Sequence, residues 1–288
     1  MSDGNSLINL GDLSKPATVL IEKVSSAVGL IYEPLHIKRK ARAEAEADKI
    51  KAVAKIELDE LQHRALERFV QQEARKQENI ETITAQAASA LPPDAKATEL
   101  DEDWIAHFFK QCDTVSDKEM QSLWARLLSG EATSPGTFSK RTVDFVSSMD
   151  KKDAALFTNF CQFVWFIGEP QPLIYQVEDE LLQEHGINFS TLKHLDAIGL
   201  ISLESLSGYL KKGFKKYARC FYHGRPTVIE FPADENNQLS TGHVLLTAIG
   251  KELAPICGSE RNEKFYESVI KKWFDEGLVL SSMQLHSH

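Results

Sequence analysis

The N-terminal segment alternates apolar and polar residues at helical spacing. Ser14 is suited to cap a helix, and Pro16 follows where a first-turn proline is tolerated. The apolar positions behind them form one stripe at steps of four and three, namely Leu20, Val24, Val28 and Ile31. Pro34 ends the pattern, because proline disfavours helical backbone at the residue before it. We predict one amphipathic helix within residues 1–36.

The segment 37–90 has the composition of one long charged helix. Good helix formers dominate, and neither Gly nor Pro occurs from Ile37 to Thr84. Apolar or small residues recur mostly at steps of four and three, at Ile50, Ala54, Leu58, Leu61, Ala65 and Phe69. This stripe is close to a coiled-coil seam and favours self-association or a stalk. The alternative is a surface helix held by ion pairs at four-residue spacing.

A linker followed by a helical domain is predicted next. Pro92 and Pro93 lie near the start of residues 91–100, among small and acidic residues typical of a linker. Residues 101–175 contain several short amphipathic helices, one of which starts at a capping box formed by Ser116 and Glu119.

The stretch Leu127–Thr142 has the composition of an active-site loop, but most of it is explained as a corner between two helices. Gly130 is predicted to end one helix, Gly136 to turn the chain and Ser139 to cap the next helix. A phosphate-binding loop would need several consecutive small residues before the helix. Glu131 and Arg141 remain as exposed charges, and we expect them to form an ion pair that holds the corner.

The last third combines helices with short strands. Helices are predicted over 177–185 and from Asn188 or Ser190, strands over 200–203 and 243–246, and a hairpin with its turn at Gly224-Arg225-Pro226. This order resembles a winged-helix domain over residues 176–256. We therefore predict a winged-helix-like domain at 176–276 and a tail at 277–288. The fold class is mainly α with a small β-ribbon (α+β), with a long N-terminal helix and a central helical bundle.

Composition narrows the class of protein. The net charge of −9 argues against a protein that coats nucleic acid over its whole surface. The four cysteines show no Cys-x-x-Cys spacing, which favours reduced, buried thiols over a zinc site or a disulfide framework. No secretory signal or membrane-spanning stretch is apparent. We expect a cytoplasmic protein, with peripheral contact at the inner face of the membrane as an alternative.

The sequence contains no recognisable catalytic motif. The histidines are scattered, and no nucleophile elbow, phosphate loop or dinucleotide fingerprint occurs. We therefore predict no catalytic residues, no metal site, no cofactor and a non-enzymatic protein.

Two basic clusters are candidate binding sites. The first contains residues that would track phosphates of nucleic acid or another anion, and its members are Lys211, Lys212, Lys215, Lys216, Arg219 and Arg225. The second follows the amphipathic helix and consists of Lys38, Arg39, Lys40 and Arg42. Together with Leu20, Val24, Val28 and Ile31 this cluster matches an anionic membrane interface. The alternative is that the apolar stripe packs on the rest of the protein or on another copy.

Several blocks of the chain resemble an uncharacterised bacterial family known only as a domain of unknown function. The blocks include NSLINLGDLSKPATVLIEKVSSAVG, SDKEMQSLWARLLSGEATSPGTFSKRTVDFVSSMDKKDAALF and LTAIGKELAPICGS. The resemblance extends to about residue 275 and implies an association with phage-defence or mobile-element proteins. The family brings no catalytic residues.

These observations lead to one functional expectation and two alternatives. We expect a non-enzymatic interaction or assembly protein, a homo-oligomer or a binder of a protein partner, that self-associates through its N-terminal helices and carries a winged-helix-like partner or sensor domain, with phage defence as its setting. The first alternative is a DNA-binding regulator that uses the lysine-rich cluster. The second is a peripheral membrane effector that uses the N-terminal amphipathic helix.

Overall fold

A computed structural model describes residues 13–29, 60–204 and 206–282 of the chain. The chain divides into two compact units, residues 1–147 and residues 148–288. The sequence analysis placed its boundaries at the linker 91–100 and between residues 175 and 176, so the last helix of the predicted helical domain, Lys151–Cys161, lies in unit 2.

Unit 1 is helical throughout its described part. Its helices are α1 (Lys15–Val28), α2 (Glu60–Ser89), a short 3-10 helix (Ala97–Glu99), α3 (Glu102–Cys112), α4 (Lys118–Thr133) and α5 (Lys140–Ser147). Helix α1 packs on α2 and α3, and α2 packs on α4. Of the long helix predicted over residues 37–90, the part before residue 60 lies outside the described residues.

The predicted start of α1 is confirmed. The Ser14 side chain accepts a hydrogen bond from the Ala17 N–H, and Gly29 closes the helix in the left-handed conformation at φ 71°. Leu20, Ile21 and Val24 are buried in unit 1. The apolar stripe of α1 is therefore a packing surface within the unit.

Buried polar side chains fix the second half of α2 in the bundle. Asn79 donates to the Asp113 carbonyl oxygen at 2.8 Å, and Gln121 of α4 donates to Asn79 Oδ1 at 3.0 Å and to the Val115 carbonyl oxygen at 2.9 Å. Because these amides are buried and satisfied, they set the rotation of α2 against α4.

The predicted linker and one predicted cap differ from the structure. Leu91, Ala97 and Leu100 are buried, so these three side chains anchor the segment 91–100 in the core of unit 1. Helix α4 is capped by Asp117, whose carboxylate accepts from the N–H groups of Glu119 and Met120. The predicted capping box at Ser116 was therefore wrong by one position.

Unit 2 mixes short helices with strands. Its elements are α6 (Lys151–Cys161), β1 (Val164–Phe166), β2 (Pro170–Pro172), α7 (Glu180–Glu184), α8 (Phe189–Ala197), β3 (Ile201–Leu203), β4 (Tyr209–Phe214), β5 (Tyr217–Tyr222), β6 (Arg225–Glu230), β7 (Asn237–Gly242), β8 (Val244–Leu246), α9 (Ala248–Leu253), α10 (Glu263–Asp275) and β9 (Val279–Ser282). The predicted α+β fold class is confirmed.

The strands form three antiparallel sheets. The largest has the order β2-β1-β5-β6-β9, and the two ribbons are β3-β8 and β4-β7. Strands β5 and β6 form the predicted hairpin, but its turn is His223-Gly224, and Arg225 and Pro226 already belong to β6. His223 and Gly224 have φ of 44° and 80°, the left-handed pair that a two-residue turn of this twist requires.

An aromatic core lies between the five-stranded sheet and α10. The Trp165 indole stacks at 5.1 Å on Tyr222 and at 5.4 Å on Tyr266, and the Trp273 ring stands edge-on to it at 4.9 Å. The Tyr222 hydroxyl donates to the Gln162 carbonyl oxygen at 2.7 Å. The side of the sheet that carries Trp165 and Tyr222 is thus buried along β1 and β5, and the opposite side of these two strands carries exposed residues.

Candidate functional surfaces

Glu131 organises the corner between α4 and α5. Its side chain is only 3% exposed, and its two carboxylate oxygens accept from the Gly136 N–H at 2.6 Å and the Phe138 N–H at 2.8 Å. Ser139 caps α5 as predicted, by accepting from the Thr142 N–H at 3.2 Å. The expected exposure of Glu131 was wrong, because the carboxylate replaces the backbone acceptors that the turn lacks.

The other corner residues also differ from expectation. Gly130 lies inside α4, where a Cβ atom would come within 2.7 Å of the Phe138 ring. Arg141 is exposed on α5, and no ion pair joins it to Glu131. The corner is therefore built by a buried carboxylate and a closely packed phenyl ring, and the predicted Glu131–Arg141 ion pair is absent there.

One lysine of the predicted anion cluster belongs to a three-charge clamp. Glu169, in the turn between β1 and β2, accepts from Lys211 Nζ at 2.8 Å and from Lys251 Nζ at 2.5 Å. The hydrogen bonds from Lys211 and then Lys251 lower the pKa of Glu169 to about 2. The clamp joins β4 and α9 to the β1–β2 turn and leaves one positive charge in excess.

This clamp predicts acid sensitivity of unit 2. Because the pKa of Glu169 is depressed, its stabilising effect is complete above its ordinary value of 4.5 and is lost as pH falls toward 2. Glu169→Gln should lower the melting temperature at neutral pH and flatten its fall below pH 4.5, measured by circular dichroism. Glu267→Gln, on the exposed side of α10, is the matched control and should keep the wild-type profile. If the melting temperature of Glu169→Gln fell as steeply below pH 4.5 as that of the wild type, the clamp would be contradicted.

The remaining cluster residues divide into paired and unpaired cations. Lys216 lies 3.7 Å from Asp234, and Arg225 sits 3.9 Å above the Tyr266 ring and 3.4 Å from Glu263. Arg225 is therefore a structural cation of the core edge. Lys212, Lys215 and Arg219 are exposed and have no ion pair in the described part of the chain.

Helix α8 presents few free polar groups. Lys193 pairs with Asp196 at 3.0 Å, and His194 Nε2 lies 2.7 Å from Asp153 Oδ1. Asn188 and Thr191 are engaged in a capping box at the start of the helix. Apart from the exposed Ser190, the side chains that could read the edges of DNA bases from this helix are thus engaged within the protein.

The exposed face of the five-stranded sheet carries aromatic residues that the sequence analysis missed. Phe166 on β1 pairs across the strands with Phe221 on β5, and their ring centroids are 6.4 Å apart. Phe166, Phe221 and Tyr217 are 47%, 39% and 62% exposed, and Arg219 lies between the last two on the same face of β5. We call Phe166, Tyr217, Arg219 and Phe221 the aromatic face.

A hollow of about 270 Å³ opens beside the aromatic face. Its wall includes Phe166 and Phe221 on one side and Pro255, Gly258 and Ser259 on the other. His223 also contributes to the wall, and burial followed by the nearby charge of Arg261 lowers the pKa of its imidazole. The hollow thus combines apolar rings with neutral hydrogen-bonding groups.

A second exposed surface lies on the first half of α2. Every described residue from Glu60 to Arg75 is exposed, including Leu61 at 67% and Phe69 at 60%. We call the apolar positions of this half the α2 stripe, and its members are Leu61, Ala65, Leu66, Phe69 and Val70.

The predicted membrane or partner helix is only partly described. Leu20 and Val24 are buried inside unit 1, and Val28 is half-buried at the end of α1. Ile31 and the basic cluster Lys38, Arg39, Lys40 and Arg42 lie outside the described residues. No helix in the described ranges combines the length and apolarity needed to cross a membrane.

The cysteines are buried and unbridged, as predicted. Burial raises the pKa of the Cys112 and Cys161 thiols well above their ordinary value, and raises that of Cys220 to about 12. Within residues 13–29, 60–204 and 206–282, no three His, Cys, Asp or Glu side chains are grouped so as to hold a metal ion.

The described residues define a two-unit α+β protein with two exposed candidate interaction surfaces, the aromatic face and the α2 stripe. The chain belongs to the family described as Protein of unknown function (DUF2806), whose match covers residues 63–270. The predicted membership of a family of unknown function is thereby confirmed. No curated protein and no solved structure matches the chain significantly.

Proposed function

We propose that this chain is an interaction protein that assembles with a second copy of itself through the α2 stripe. The observation that carries the proposal is the continuity of one helical face along α2. In its second half this face is buried in unit 1, and in its first half the same face is exposed.

The continuity follows from helical geometry. A separation of 18 residues corresponds to five turns of about 3.6 residues, so residues that far apart lie on one side of a helix. Each member of the stripe has such a counterpart in the buried half, the pairs being Leu61 and Asn79, Ala65 and Ile83, Leu66 and Thr84, Phe69 and Ala87, and Val70 and Ala88. The first half of α2 therefore extends a packing face beyond the bundle that uses it.

A second copy is the occupant that the stripe fits best. Glu60, Arg64 and Glu67 lie on the other side of α2. Glu73 lies on the side of the stripe but is paired with Lys76 at 3.0 Å, so the stripe carries no net charge for an oppositely charged partner to match. Two such faces meet without net repulsion, and Ala65 leaves room one turn away for a large ring such as Phe69. Exposed apolar patches of this kind mark interaction sites.

The decisive test is the mass of the full-length protein in solution. The wild type should be a dimer at micromolar concentration by light scattering after size-exclusion chromatography. The double variant Leu61→Glu, Phe69→Glu should be a monomer, because four buried carboxylates per dimer would be desolvated without partners. Since both side chains are exposed in the single copy, the variant should keep the wild-type melting transition of a dilute sample.

A matched control changes the charge equally on the opposite side of α2. Arg64→Gln with Gln71→Glu lowers the charge by two, as the stripe variant does, and leaves the stripe intact. This control should remain a dimer. A monomeric wild type, or a dimer that survives the stripe variant, would overturn the proposal.

The C-terminal winged-helix-like region would serve this protein as a partner or sensor domain. The order α7, α8, β3, β8 and α9 supports that likeness, with β4 to β7 inserted where a wing lies between its two strands. A duplex-reading regulator has less support, because Lys193 and His194 of α8 are engaged by Asp196 and Asp153. A membrane effector also has less support, because Leu20 and Val24 are buried. A role in phage defence rests on the family resemblance alone.

A further inference from the structure

The aromatic face has the arrangement that stacking of unpaired bases requires. Phe166 and Phe221 lie side by side on neighbouring strands, and Tyr217 lies on the same face two side-chain positions along β5. The other side of the sheet is filled by the core residues Trp165 and Tyr222, so the rings are held on a rigid support. A contiguous group of exposed apolar rings marks an interaction surface.

Unpaired cations lie along the same strand. Arg219 is between Tyr217 and Phe221 on the aromatic face, and Lys215 is in the turn that enters β5. Neither has an ion pair among the described residues, and the clamp at Glu169 adds one uncompensated positive charge at the β1–β2 turn. Glu230, across the strands from Tyr217, is an opposing charge; it is half-buried and lies 3.4 Å from the Tyr217 hydroxyl. Asp234, at the turn that holds Lys215, is paired with Lys216. Arg219 and Lys215 thus supply unpaired positive charge beside the rings even though the whole chain is acidic.

The hollow beside Phe166 and Phe221 supplies polar groups for a base edge. His223 and Ser259 line it, and burial followed by the nearby charge of Arg261 lowers the pKa of the imidazole. One ring nitrogen is engaged with the Cys161 backbone, which leaves the other nitrogen and the Ser259 hydroxyl to hydrogen-bond with the edge of a nucleobase.

We propose that the aromatic face binds a single strand of nucleic acid. Phe166, Phe221 and Tyr217 stack the bases, Arg219 and Lys215 contact the phosphates, and the hollow at His223 takes one base edge. Only unpaired bases can lie flat on a sheet, because in a duplex their faces are covered by neighbouring pairs. This surface is distinct from the α2 stripe, and its activity does not depend on self-association.

The test uses fluorescence anisotropy of the full chain with labelled 12-nucleotide strands of mixed-sequence DNA and RNA. Binding should weaken with added salt and should be much weaker for the matching duplex and for a mononucleotide. Phe166→Ala and Phe221→Ala should each weaken binding by roughly 5- to 150-fold, the range that stacking of one base represents. Phe221→Tyr, which keeps a ring, should retain most of the affinity.

The controls separate a local effect from a loss of fold. Phe274 is a still more exposed aromatic residue on α10, at 70%, and lies outside the aromatic face, so Phe274→Ala should bind as the wild type does. Arg219→Gln should weaken binding and reduce its salt dependence. Absence of strand binding at 50 mM salt, equal binding of strand and duplex, or binding that survives both phenylalanine changes would overturn the proposal.

Discussion

Replacing Gly242 by alanine is expected to destabilise unit 2 more than a methyl group added at any other position of β4 or β7. Gly242 closes β7 at φ 84°, and the His243 N–H next to it donates to the Ile174 carbonyl oxygen at 2.7 Å. A Cβ atom at Gly242 would stand 1.9 Å from that same oxygen. Backbone strain and the clash together should cost about 3–5 kcal/mol, which corresponds to a fall of roughly 10 °C or more in melting temperature.

Gly213 provides a matched control in the strand that pairs with β7. It also has φ 84°, and a Cβ atom there would meet no atom within 4 Å. Gly213→Ala should therefore cost only the conformational strain, about 1–2 kcal/mol. Thermal unfolding followed by circular dichroism compares the two variants. Equal losses would mean that the contact with Ile174 has no special part in the stability of unit 2.

Replacing Glu131 by alanine is expected to have the second-largest effect, in unit 1. The substitution removes the acceptor for the buried Phe138 N–H and for the Gly136 N–H, and it leaves a cavity under the corner. Loss of a buried acceptor and of two charge-assisted hydrogen bonds should cost about 2–4 kcal/mol. The free energy of unfolding in urea measures the change.

Two further variants assign that loss to the carboxylate. Glu131→Gln keeps one acceptor oxygen but turns an NH₂ group toward a backbone donor, so it should cost about half as much as alanine, roughly 1–2 kcal/mol. Glu78→Ala, at an exposed position of α2 in the same unit, should change the stability by less than about 0.5 kcal/mol. A Glu131→Ala variant as stable as Glu78→Ala would refute the structural role of the carboxylate.

Local signals in the sequence predicted the helices well. The caps at Ser14 and Ser139 need only neighbouring residues, so capping preference identifies them. The hairpin of β5 and β6 was found for the same reason. The end of α1 at Gly29 was missed, because the apolar stripe was taken to continue through Ile31 to Pro34. Strands β1, β2 and β9 are three or four residues long and pair with distant segments, so their own residues carry almost no strand signal.

The candidate sites were predicted less well, because they depend on tertiary neighbours. The lysine-rich cluster was visible in the sequence, but Glu169 and Tyr266, which occupy Lys211 and Arg225, are far from it along the chain. The alternation of Tyr217, Arg219 and Phe221 was a signal for one exposed strand face. Its completion by Phe166 requires the register between β1 and β5, which sequence reasoning did not supply.

Each unit contains two of the four tryptophans, so tryptophan fluorescence can follow the unfolding of each unit by itself. Trp104 and Trp124 are buried in unit 1, and Trp165 and Trp273 are buried in unit 2. Since indole emission shifts to longer wavelength when water reaches the ring, a chain that keeps only one of these pairs reports the melting of one unit. The emission wavelength of such a chain then shows when that unit melts. It also shows whether a ligand or a substitution changes the stability of that unit.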